Sequence, residues 1–264
     1  GTRFNWVIQF GRPPRFAADL KVIHVDINPT QLGHNRAVDV PIAGDARAVL
    51  EQLRAEAEGK IAPKRYAGWT GKLRTLDAEK GAEQDKAMSQ EQTPIHPLRL
   101  CKEIRDFMRR DGILVVDGQE ILNFGRQTIP TFAPNHRMNS GVFGTMGVGL
   151  PLGVGAKLAA PDKQVVVLHG DGSFGMNAME FDTAVRHGVP VLVVISQNGG
   201  WTGDPDRAKP GRDLGYPRYD ELALTLGGHG EHVEDPDDIR PALERAAAAN
   251  AAGKPALVNV VTDW

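Results

Sequence analysis

Two hydrophobic rhythms alternate along the chain. Short continuous apolar runs occupy 21–26 (KVIHVD), 112–117 (GILVVD), 164–169 (QVVVLH), 190–196 (PVLVVIS) and 256–261 (ALVNVV). Runs this short and rich in Val and Ile predict strands, and unbroken apolarity predicts burial on both faces. Helical spacing of good helix formers predicts helices over 46–56, 98–109, about 150–160, 177–187, 220–225 and 236–249. Strands alternating with helices predict an α/β fold, a parallel sheet with helices on both faces. Asn28-Pro29 ends the first strand, and residues 1–58 read as the tail of an α/β unit. The stretch 59–96 is polar, with little periodicity, and reads as a surface linker with a helical section. A second α/β pattern fills 97–264.

Composition changes this picture little. Lys and Arg number 31 against 33 Asp and Glu, a net charge of −2. No basic excess marks a nucleic-acid binder, so no nucleic acid is expected as partner. Cys101 is the single cysteine, so an intramolecular disulfide is excluded and a buried thiol is expected. No apolar run approaches the length of about 18 residues that spans a membrane. No signal peptide opens the chain. A cytoplasmic protein with no membrane partner is the expectation. The opening GTRFNW leads quickly into what reads as the middle of a domain, so a fragment, a nicked chain or one piece of a split protein is expected.

In parallel α/β sheets ligands bind beyond the carboxyl ends of the strands. After QVVVLH comes Gly170-Asp171-Gly172-Ser173-Phe174-Gly175, a literal G-x-G-x-x-G. A dinucleotide fold would need an acid at the end of the next strand to hold a ribose. PVLVVIS ends instead in Gln197-Asn198, and the acid sits inside the glycine loop as Asp171. A carboxylate there repels a diphosphate unless a cation lies between them, and Mg2+ takes oxygen ligands of this kind. Asp171 would supply a carboxylate oxygen and Asn198 an amide oxygen. Gly199 and Gly200 make a compact loop that can turn a backbone carbonyl toward the ion. Gly172 and Ser173 leave N–H groups for the diphosphate at a helix start. Taken singly, each has a plainer reading: a glycine turn as punctuation, Asn198 as a turn residue.

GDGSFGMNAMEF followed by VLVVISQNGGW resembles the motif of thiamine-diphosphate (ThDP) enzymes, which begins GDG and ends NN. Gln197 replaces the first Asn of that pair. The resemblance implies Asp171, Asn198 and the Gly200 carbonyl as metal ligands, with Gly170, Gly172, Ser173 and Asn198 against the cofactor. The segment 141–149 (GVFGTMGVG) resembles the part lying under the aminopyrimidine in the acetolactate-synthase and acyl-CoA-lyase branch. There Gly144 and Met146 match groups that bond the pyrimidine, and Met146 matches the wedge that bends the cofactor; by itself Met146 reads equally as core filling. Asp117-Gly118-Gln119-Glu120 resembles a second diphosphate-contacting turn, implying Gly118, Gln119 and Glu120 as contacts.

GTRFNW, KVIHVDINPTQLGHN and VPIAGDA, within residues 1–58, resemble the C-terminal part of the central nucleotide-binding domain of 2-hydroxyacyl-CoA lyases and oxalyl-CoA decarboxylases. That implies ADP or CoA near Arg3, Asp26, Ile27, Asp45 and Ala46. Arg126 matches an Arg near CoA phosphates, and Asp26 and Arg126 read equally as solvated charges. The resemblance implies a C–C lyase that cleaves or forms a 2-hydroxyacyl-CoA, with formyl-CoA and a ketone or aldehyde as the other partners. Oxalyl-CoA decarboxylase, an acetolactate-synthase-like carboligase and a non-catalytic cofactor-binding module are the alternatives. The stretch 201–219 lies where substrate-facing loops sit and matches neither acyl-CoA branch well. The family's Glu on a pyrimidine-binding domain has no counterpart here. A missing N-terminal half or second chain, and a homo-oligomer (dimer or tetramer), are therefore implied as partners.

Overall fold

The computed structural model describes residues 1–62, 64–201 and 208–264. The chain divides into two compact units, Gly1–Ala78 and Glu79–Trp264.

In the first unit β1 (Ile23–Asp26) pairs in parallel with β2 (Val40–Ala43), and α1 (Ala46–Ala57) follows. Asp45 caps α1 by accepting the Ala48 N–H at 3.0 Å. β1 starts two residues later than the apolar run suggests. β2 was not legible as a strand, because its four residues are exposed or half-buried and interrupted by Pro41. α2 (Ala67–Met88) begins in this unit and ends in the next. Its side chains are exposed nearly throughout, which accounts for the missing periodicity in 59–96.

The second unit is a six-stranded parallel sheet ordered β4-β3-β5-β6-β8-β7. In chain order its elements are α3 (Pro97–Phe107), β3 (Ile113–Asp117), α4 (Glu120–Thr128), β4 (Arg137–Met138), α5 (Gly149–Ala159) and β5 (Val165–Gly170). There follow α6 (Asp171–Met176), α7 (Glu180–Arg186), β6 (Leu192–Gln197), α8 (Tyr219–Thr225), β7 (His229–Val233), α9 (Ile239–Ala251) and β8 (Ala256–Val261). Alternate strand residues feed two separate cores. Leu114, Val116, Val166, Leu168, Val194 and Val258 pack with residues of α3, α4 and α9. Ile113, Val115, Val165, Val167, Val193 and Leu257 pack with residues of α5, α7 and α8. A fully buried Val or Leu contributes about 1.5–3 kcal/mol relative to exposure, so the continuous runs define the central strands. β7 escaped the sequence pattern because HGEHV is polar and lies at the sheet edge.

The register aligns the strand ends. Asp117 stands beside His169, His169 beside Ile195, and Gly170 beside Ser196. The turns after β3, β5 and β6 therefore open side by side at one edge of the sheet. Among the described residues no helix is long and apolar enough to cross a membrane.

Candidate functional site

Those three turns enclose a cleft with about 450 Å³ of empty volume, including its open mouth. Gly118, Gln119 and Glu120 line it from β3; Gly170, Asp171, Gly172 and Ser173 from β5; Asn198 and Gly200 from β6. Met146 joins them from the turn before α5. The two strand-end motifs and the Met146 segment, far apart in the chain, thus meet in one place. Gly144 is absent from the lining; it ends a short 3-10 turn over Gly141–Phe143 in the left-handed region. Ile121, Ser196 and Trp201 also line the cleft and were missed from sequence. Trp201 had a usable signal, since it directly follows the Asn198-Gly-Gly turn.

Asp171 begins α6 and is buried. Its Oδ2 accepts the Gly199 N–H at 2.8 Å and its Oδ1 the Gly172 N–H at 2.7 Å. These bonds tie the β5 turn to the β6 turn. Asn198 is buried beside it, its Oδ1 accepting from Gly200 N–H at 3.2 Å and its Nδ2 donating to Glu120 Oε2 at 3.0 Å. Gly199 adopts φ +73°, and a Cβ there would stand 2.7 Å from the Tyr216 ring. Tyr216 donates to the Asn198 carbonyl at 3.4 Å. Leu214 N–H donates to Gly199 O at 2.9 Å and Trp201 N–H to Arg212 O at 2.9 Å, seating the 212–216 segment on the turn after β6. Residues 202–207 of the stretch read as substrate-facing lie outside the described residues.

Gln197, the departure from the family's motif, is fully buried. It donates to the Pro217 carbonyl at 2.8 Å and accepts from Asn259 Nδ2 at 2.9 Å. Its amide is thus absorbed by β8 and the 217 turn, leaving the cleft to Asn198.

Behind the cleft, Asp117 accepts from Gly118 N–H and from Gly149 N–H, both at 2.7 Å. It thereby joins the end of β3 to the start of α5, which carries the Met146 segment. Asn177 donates to the Gly147 carbonyl at 2.7 Å and anchors the other side of that segment. His169 is buried with Nδ1 3.0 Å from Ser173 Oγ. Burial pushes its imidazole down to about 4, against the opposing pull of Asp117. It is therefore neutral at pH 7.

The cleft suits a cation-bound diphosphate. Asp171 and Asn198 bring a carboxylate and an amide oxygen to its lining, beside the Gly200 backbone, and hard oxygens of this kind are the ligands Mg2+ takes. Among the described residues no three His, Cys, Asp or Glu side chains form a metal cluster, and a set of this mixed kind contains none. Glycines let parts of the wall pack closely. A Cβ at Gly118 would lie 3.2 Å from Gly170 N, and one at Gly172 2.9 Å from the Trp201 ring. The Gly170 N-cap of α6 supplies no side-chain acceptor, and the Gly172 N–H, expected from sequence to be open to the diphosphate, is taken by Asp171 Oδ1.

The candidate nucleotide residues belong to the first unit, Arg126 excepted. Asp26 is buried; Oδ1 accepts from Asn28 N–H at 2.9 Å, and Oδ2 has no hydrogen-bond partner. The bond from Asn28 holds its carboxyl below the usual range. Ile27 is 76% exposed, Arg3 and Ala46 are exposed, and Asp45 serves as the α1 cap. His24, one pleat before Asp26, is buried with both ring nitrogens unpartnered, and the sequence reading missed it. Arg126 is exposed in the last turn of α4, outside the cleft lining.

A parallel sheet with a glycine-walled, oxygen-rich cleft at its carboxyl edge defines a binding domain for a diphosphate-bearing cofactor. Residues 122–260 match the family model described as thiamine pyrophosphate enzyme, C-terminal TPP binding domain, and residues 1–53 match the central domain of the same enzymes. The chain belongs to the thiamine pyrophosphate enzyme family. It is 36% identical to the acetolactate synthase large subunit of Mycobacterium tuberculosis, over 94% of this chain and 45% of the relative. It is 30% identical to 2-hydroxyacyl-CoA lyase 1 of Homo sapiens, over 100% of this chain and 49% of the relative. Identity to oxalyl-CoA decarboxylase of Escherichia coli is 30%, over 100% of this chain and 47% of the relative. The chain spans about half the length of the curated relatives it matches.

Proposed function

We propose that this chain supplies the diphosphate- and magnesium-binding part of a ThDP-dependent carbon–carbon lyase that cleaves or forms a 2-hydroxyacyl-CoA. The carrying observation is the convergence of Asp171, Asn198 and Gly200 with the Gly118 and Gly172 turns in one cleft. In this reading Asp171, Asn198 and the Gly200 carbonyl hold Mg2+. Gly118, Gln119, Gly170, Gly172 and Ser173 surround the diphosphate, and Met146 with Gly144 contacts the pyrimidine. When bound, ThDP supplies a nucleophilic carbon for a carbonyl and an electron sink for the bond that breaks. The residues of this chain bind and orient it. Asp117 holds the start of α5, and with it the Met146 turn, in place. Trp201 packs over the Gly172 side of the cleft.

Residues 1–58 form, in this reading, the C-terminal part of a central domain, 59–96 a linker and 97–264 the diphosphate-binding domain. The buried Asp26 Oδ2, which has no hydrogen-bond partner, and the exposed Ile27 favour ADP or the CoA end of a substrate in the first unit, where Arg3, Asp45 and Ala46 also belong, while Arg126 of the second unit is proposed for CoA phosphates. A pyrimidine-binding domain, in the same protein or a second chain, and assembly as a dimer or tetramer complete the active site.

One observation favours a second reading. Identity to the mycobacterial acetolactate synthase exceeds that to the human lyase, so acetolactate-synthase-like carboligation of a 2-keto acid is the alternative. The test is a product assay on the full-length protein with ThDP and Mg2+. Formyl-CoA plus a ketone should give a 2-hydroxyacyl-CoA. Formation of acetolactate from pyruvate, or consumption of oxalyl-CoA, without that product would overturn the lyase reading.

A further inference from the structure

Glu120 sits at the first turn of α4, half-buried in the cleft wall, in the turn that resembles a diphosphate contact. A carboxylate makes a poor contact for a diphosphate: it carries the same charge and, when ionised, donates no hydrogen bond. It makes a good partner for an amide N–H. Its Oε2 accepts from Asn198 Nδ2 at 3.0 Å, joining positions 78 residues apart.

That bond matters because an Asn side chain has two unlike ends. Its oxygen can ligate a hard cation, whereas its NH2 group repels one. Rotation of the amide exchanges the two. Here the Gly200 N–H donates to Oδ1 at 3.2 Å while Glu120 accepts from Nδ2. Both bonds select the same orientation, with the oxygen on the Gly200 side and the NH2 group on the Glu120 side.

We infer that Glu120 is a positioning residue that orients the amide of Asn198 for Mg2+, and is not itself a diphosphate contact. The inference rests on the ThDP–Mg2+ reading of the cleft and names how that site holds its second side-chain ligand. Glu120→Gln retains an oxygen that can accept from Asn198; Glu120→Ala does not.

The experiment titrates Mn2+, as a paramagnetic stand-in for Mg2+, into the full-length protein at saturating ThDP and follows free Mn2+ by electron paramagnetic resonance. Wild type, Glu120→Ala and Glu120→Gln are compared, with melting temperatures measured without metal. Partners one step removed from a ligand typically change metal affinity by about 10–100-fold. Glu120→Ala should weaken Mn2+ binding by about tenfold or more. Glu120→Gln should stay within about threefold of wild type, and its metal-free melting temperature should be unchanged. Equal or tighter binding by Glu120→Ala would overturn the proposal, as expected if the carboxylate only repels the diphosphate. So would a loss in Glu120→Gln as large as in Glu120→Ala, which would make charge, not the hydrogen bond, the active feature. If Glu120→Ala fails to fold, Glu120→Met, which keeps much of the side-chain volume but offers no oxygen acceptor, takes its place with the same expected loss. Wild-type protein that binds no ThDP with metal would instead fail the underlying reading, before either variant is considered.

Discussion

The carboxylate of Asp171 accepts the backbone N–H of Gly199 at 2.8 Å, so the end of β5 holds the turn that follows β6. One residue thereby links the turn after β5 to the turn after β6. The same carboxylate is proposed as a magnesium ligand, which makes it the most informative position in the chain.

Asp171→Ala should abolish measurable ThDP binding in the presence of Mg2+, read by calorimetry on the full-length protein. The variant removes the only charged oxygen of the proposed donor set. Unchanged affinity would sink the assignment of the cleft.

Gly199→Ala tests the turn itself. The residue has φ +73°, and the new Cβ would meet the Tyr216 ring at 2.7 Å. Left-handed backbone costs a residue with a Cβ about 1–2 kcal/mol. Urea unfolding should show at least that loss, and ThDP affinity should fall because Asn198 is displaced. Gly188→Ala is a control: it has φ +60° but nothing within 4 Å of the new Cβ. It should lose stability without losing cofactor affinity.

Met146 separates binding from turnover. It lines the cleft on a segment anchored by Asn177 and Asp117. Met146→Ala should leave ThDP affinity near wild type and lower kcat by up to about a hundredfold, the usual consequence of misplacing a reacting group. An unaffected rate would remove Met146 from the proposed pyrimidine contact.

Cys101 provides a check on the fold that does not depend on the cofactor. It is completely buried in the core shared by α3, α4 and β3, and burial pushes its thiol up to about 12. The thiolate is the reactive form. At pH 8 native protein should not react with a disulfide reagent over minutes, and should react at once in denaturant. Rapid labelling of the native state would mean that α3 is not packed as described.

The sequence by itself determined much of the sheet. Continuous apolar runs can be satisfied only by burial on both faces, so β3, β5, β6 and β8 were visible without coordinates, and so were the strand ends that carry Asp171 and Asn198. It did not show β7 or α4. The polar HGEHV carries no burial signal at a sheet edge, and the residues after Asp117 resembled a turn, which hid the nine-residue helix that Glu120 opens. Only the tertiary structure decided which strand ends are neighbours. Parallel strand order depends on crossovers through intervening helices, and no local pattern encodes it. That order sets Gly118 beside Gly170 and brings Glu120 to Asn198 across 78 residues. It also explains how Gln197 is accommodated, because its amide partner, Asn259, comes from the adjacent strand β8. Residue types at the strand ends announced the chemistry; the packing of the sheet decided which of those residues act on one another.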